Sequence, residues 1–116
     1  MPDKRYREDV KTALDDMLLA IPGVKGRKMF GLPSYTIEGK VFACNYREGA
    51  TVKLPDDAAA DLLKREDVIP FEPFDSGKKM REWVQINRSR AEDYHQDEGI
   101  FLQALEYVLE LAQTGG

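Results

Sequence analysis

Hydrophobic residues follow two rhythms along this chain, and the switches between them divide it into elements. From Tyr6 to Ile21 the apolar side chains recur at three- and four-residue steps (Tyr6, Val10, Ala13, Leu14, Met17, Ile21), with Lys11, Asp15 and Asp16 off that stripe. This spacing predicts an amphipathic helix over about residues 3–20. Asp3 is its candidate N-cap. Pro22-Gly23 is its stop, because proline cannot continue the helical ladder and glycine accepts the turn.

From Val24 the period shortens to two. Val24 to Phe30 predicts a first strand, Gly31-Leu32-Pro33 a break, and Ser34 to Ile37 a second strand. Glu38-Gly39 supplies a two-residue hairpin turn. In the third strand, Lys40 to Tyr46, strict alternation sets Phe42, Cys44 and Tyr46 on one face and Val41 and Ala43 on the other. Both faces are largely apolar, which suits a central position. Arg47-Glu48-Gly49 turns the chain into a fourth strand ending at Leu54.

Pro55 opens a second helix, with Asp56 and Asp57 placed to complement its dipole and Ala58, Ala59, Leu62 and Leu63 as its buried side. Val68 to Phe74 is extended and marked by prolines, so it reads as an edge strand or an irregular connection. Glu82 to Arg88 predicts another strand, with Val84 and Ile86 opposite Trp83, Gln85 and Asn87. The last helix covers about Ala91 to Gln113. Gly99 weakens its first half and allows a start near Asp97. Residues 114–116 are expected to be disordered. This order predicts one α+β domain over residues 1–116: a two-layer arrangement in α-β(4)-α-β(2)-α order, with an antiparallel sheet and the helices packed on one face.

Charge changes this picture more than composition does. The 116 residues carry a net charge of -4, but residues 25–53 hold six bases against two acids, and residues 77–90 five bases against one. The acids gather in the segments read as helices. Positive sheet is thus set against negative helices. No apolar run approaches the roughly 18 residues of a membrane span, and the polar N-terminus has no secretory pattern, so the cytoplasm is the expected compartment. Cys44 and His95 are the single cysteine and histidine. That excludes an internal disulfide framework, a hydrolase triad and any zinc site not completed by carboxylates. Gly23, Gly26 and Gly31 do not space as a phosphate loop, so no cofactor is expected.

Several strings in this order resemble the MmcQ/YjbR family and the related TfoX N-terminal domain. The features that carry the resemblance are Met29-Phe30-Gly31, the Gly39-Lys40 hairpin with Phe42-Ala43, Val52-Lys53-Leu54 and the late Trp83-Val84 strand. It covers about residues 10–112. It implies an α+β sheet with hairpin wings and a role in DNA binding or transcription, and it brings no catalytic signature.

The candidate site is the basic sheet face. Arg27, Lys28, Lys40, Arg47 and Lys53 could track phosphates, with Lys78, Lys79 and Arg81 extending the surface; the bland reading is that these cations solvate an open face and blunt the sheet's edges. Trp83, set away from the helices, is either an exposed interface residue or part of a second small core under the VIPFEPF stretch. Cys44 is expected to be a buried small hydrophobe and His95 a surface residue. The sequence therefore points to a non-enzymatic binding domain that contacts nucleic acid, with a protein-interaction module or homodimer around Trp83 as the alternative. Nothing in it points to a membrane or a small-molecule substrate.

Overall fold

The computed structural model describes residues 5–72 and 82–113. Helix α1 (Glu8–Leu18) leads into the meander β1 (Val24–Met29), β2 (Leu32–Ile37), β3 (Lys40–Tyr46) and β4 (Gly49–Lys53). Helix α2 (Asp56–Leu62), β5 (Val68–Pro70) and β6 (Trp83–Ile86) follow, then a 3-10 helix over Ala91–Asp97 that runs into α3 (Glu98–Gln113). The six strands form one antiparallel sheet in the order β1-β2-β3-β4-β6-β5. The α+β architecture and element order agree with the sequence reading.

Two hairpins are set by paired positive φ angles. Phe30 (φ 53°) and Gly31 (φ 79°) join β1 to β2, and Glu38 (φ 52°) and Gly39 (φ 76°) join β2 to β3. Two such residues make the turn whose twist matches that of the flanking strands. The expected break at Gly31-Leu32-Pro33 is therefore a tight turn followed at once by β2. Pro33 fits the strand because it sits opposite Lys28 and outside the register that pairs β2 with β3.

The helices cover one sheet face. Val10, Leu14 and Leu18 from α1 and Phe101, Ala104, Leu105 and Val108 from α3 pack against Tyr35, Ile37, Ala43, Ala50, Val52, Val84 and Ile86. Alternation in β3 is broken. Tyr35 pairs with Ala43 but Thr36 pairs with Val41, which leaves Phe42 as the extra residue of a β-bulge. The bulge puts two successive side chains on one side of the strand. Phe42 consequently joins Ala43 in the core instead of facing away with Cys44.

Helix α1 starts later than the apolar stripe predicts. Tyr6 is extended and bridges to Arg47, and the Arg47 amide donates to the Arg5 carbonyl at 2.6 Å. Arg7 fixes this entry. Its guanidinium donates to the carbonyls of Arg88 (2.8 Å) and Ser89 (3.0 Å) and to the Asp9 carboxylate. At the other end, the chain between residues 91 and 97 tightens to 3-10 geometry before α3 begins at Glu98, close to the later start that Gly99 allowed.

Candidate nucleic-acid interface

Residues directly opposite one another in a sheet share a face, so the registers place each predicted cation. One row crosses all six strands on the face away from the helices: Arg27, Ser34, Cys44, Thr51, Gln85 and Ile69. Its centre is polar and buried; Ser34, Thr51 and Gln85 are all closed to solvent. Ser34 Oγ lies 3.5 Å from Cys44 Sγ, and burial raises the thiol pKa. Cys44 is half-buried in this polar row rather than packed as a core hydrophobe.

Aromatic side chains close another part of this face. The Phe71 ring meets Tyr46 edge-on at 5.1 Å and lies tilted over Trp83 at 6.1 Å. Trp83 is half-buried beside Phe71. Its contact with Phe71 fits one of the two settings its sequence position left open, a second small core under the VIPFEPF stretch, while part of the indole stays open to solvent.

The expected basic face is therefore not continuous. Lys40 begins β3 and Arg47 follows its end, a separation of roughly 23 Å at strand rise. Lys40, Lys53 and Trp83 line a cleft at one end of the sheet together with Val108 and Leu111 of α3. At the opposite end, the Arg47 guanidinium sits 5.1 Å from the centre of the Tyr46 ring. Lys78, Lys79 and Arg81 lie outside the described residues.

Positive charge is concentrated on β1. Lys25, Gly26, Arg27, Lys28 and Met29 are all exposed, and only Val24 is buried. No acid interrupts this edge strand, and Lys25, Arg27 and Lys28 form no ion pair with any described residue. The strand runs directly into Phe30 at the hairpin tip, 74% exposed and at positive φ. Arg5 braces the tip by donating from Nη1 to the Phe30 carbonyl at 2.8 Å. A bulky side chain in the left-handed region costs roughly 1–2 kcal/mol, and such strain gathers where function holds it. The sequence reading missed this tip because it placed Phe30 at the end of a strand; the Phe-Gly pair was the available signal for a turn.

The other charged clusters are internally satisfied. Asp97 is 2% exposed and accepts from Arg65 Nη1 at 3.0 Å and Arg88 Nη2 at 2.7 Å. Asp67 completes the group through Arg65 at 2.7 Å. This network is invisible in sequence because its members come from the turn after α2, the segment after β6 and the 3-10 helix. His95 is exposed, as expected, and lines an acidic groove with Asp9, Asp15, Asp16 and Glu92. Among the described residues no three His, Cys, Asp or Glu side chains converge as metal ligands, and no helix is long and apolar enough to cross a membrane.

The fold and its exposed basic hairpin define a small α+β domain built on an antiparallel sheet with one wing-like edge. The family model of the TfoX N-terminal domain matches residues 16–107, and the chain belongs to that family. No curated protein and no solved structure matches it significantly.

Proposed function

We propose that this domain is a non-enzymatic nucleic-acid-binding module and that the β1–β2 hairpin is its contact surface. The observation that carries this reading is an edge strand with three cations, no acids and an exposed, conformationally strained aromatic at its tip. Lys25, Arg27 and Lys28 would track phosphates, and Phe30 would stack on an unpaired base, an interaction worth about 1–3 kcal/mol. The net charge of -4 works against long-range attraction, so contact would be local and strongly salt-dependent. The alternative, a protein-interaction module or homodimer using the sheet face around Trp83, is less favoured because that indole is only half-exposed and leans on Phe71.

The test is fluorescence anisotropy with labelled single-stranded and duplex DNA at low and physiological salt. Binding should be tighter to the single strand and should weaken steeply with salt, and Arg27→Glu with Lys28→Glu should abolish it without lowering the melting temperature. No binding of either DNA at low salt would end this proposal.

A further inference from the structure

Lys40 and Lys53 are two of the cations that the fold separates from the β1 edge. They meet at a cleft of about 270 Å³ where the open end of the sheet faces the last turns of α3. The remaining surface there is mainly apolar, contributed by Trp83, Val108 and Leu111 among others. Neither lysine forms an ion pair with any described residue. Glu82, the acid next to Trp83 in sequence, accepts the Tyr107 hydroxyl and does not line the cleft.

Two lysines without an ion pair among the described residues, lining a mainly apolar cleft, match a ligand with one anionic head and one apolar body. We propose that this cleft binds a small amphipathic monocarboxylate, its carboxylate between Lys40 and Lys53 and its hydrocarbon part against Trp83, Val108 and Leu111. The volume lies just below the roughly 300 Å³ at which drug-sized sites begin, so the ligand is small and its affinity modest. The site is independent of the hairpin and shares none of the residues assigned there.

Trp83 is the single tryptophan of the chain, so its emission reports on the cleft directly. Titration with octanoate should change that emission saturably, with a Kd on the order of 1 mM or tighter for so small a ligand. The neutral control 1-octanol should not saturate. Lys40→Met with Lys53→Met should weaken octanoate by roughly tenfold or more, consistent with loss of charge-assisted contacts, and methyl resonances of Val108 and Leu111 should shift with octanoate in the unmodified protein. The lysines also stand at the carbonyl end of α3, where positive charge favours the helix dipole. A purely structural role of that kind predicts a lower melting temperature for the double variant and no saturable octanoate signal in the unmodified protein, which would overturn the proposal. Equal binding of octanol and octanoate, or unchanged octanoate affinity in the double variant, would overturn it as well.

Discussion

Tyr35 donates its hydroxyl to Asp15 Oδ1 at 2.6 Å, tying the centre of β2 to the outer side of α1. Lys11 holds the other carboxylate oxygen at 2.6 Å, and Asn45 Nδ2 reaches the same tyrosine oxygen at 3.4 Å. Asn45 Oδ1 is buried and has no partner among the described residues. Tyr35→Phe would therefore remove a charge-assisted bond and leave the asparagine amide unmatched as well. The expected loss is about 2 kcal/mol in urea unfolding. A double-mutant cycle with Asp15→Ala should give a coupling energy near 1 kcal/mol or above; additivity would mean that the bond contributes nothing.

Asp97 faces the opposite test. Two arginines converge on one buried carboxylate, so Asp97→Ala leaves Arg65 and Arg88 facing each other with only Asp67 to share. Breaking a buried ion pair costs about 3–5 kcal/mol. Both arginines are partly exposed, which favours the lower end, about 3 kcal/mol. Thermal unfolding would measure it, and a loss below about 1 kcal/mol would show that solvent already screens the cluster.

Stability should fall at both extremes of pH. Hydrogen bonds from Arg65 and Arg7 hold the Asp67 and Asp9 carboxyls below their ordinary pKa of 3.8. Their contribution is present above that value and is lost as pH falls through the lower folded values. At the alkaline end, burial raises the Tyr35 and Tyr94 hydroxyls, and the bond to Glu82 pushes Tyr107 up to about 12. A tyrosine kept neutral in the fold but free to ionise when unfolded costs stability as pH rises above its ordinary value of 10. Urea midpoints across pH should be flat near neutrality, decline below about 4 and decline again above about 10.

Three glycines separate three kinds of constraint. A Cβ on Gly49 would stand 2.1 Å from the Ile86 carbonyl oxygen, so Gly49→Ala must push β4 from β6 and should cost more than about 2 kcal/mol. Gly39 has open space around it but sits at φ 76°; alanine there costs only conformational strain, about 1 kcal/mol. Gly99 has open space within α3, and Gly99→Ala should stabilise by up to about 1 kcal/mol. Chemical denaturation of the three variants checks the ranking.

Phe30 should trade stability for binding. Asparagine is favoured before glycine in this type of turn, so Phe30→Asn should relieve strain and raise stability by about 1 kcal/mol. Under the proposed function the same change should weaken single-stranded DNA. Higher stability with unaltered binding would confine Phe30 to the turn alone.

Periodicity made the elements legible because each needs only local information: a stripe for α1, alternation for the strands, Glu38-Gly39 for a turn. It failed where a distant partner decides. Tyr6 fits the α1 stripe, yet Arg47 draws it into an extended bridge. Phe42 obeys alternation in sequence, yet the pairing with β2 inserts it as a bulge. The charge layout was correct in sum but not in space. Counting bases in residues 25–53 could not reveal that the two ends of β3 carry Lys40 and Arg47 to opposite margins, or that among the described strands β1 presents an uninterrupted basic edge.

The strand order also has a consequence in time. The chain lays down β4 and then β5 with an empty place between them, which β6 fills on its return. The meander β1 to β4 is joined by tight turns and can zip within microseconds once nucleated. By contrast, β5 has no neighbour until β6 arrives, since among the described strands it pairs with that one alone. Within the sheet, the β5–β6 edge should therefore pair last and open first. In hydrogen exchange the amides of β5 and β6 should open as one cooperative unit, ahead of β2 and β3.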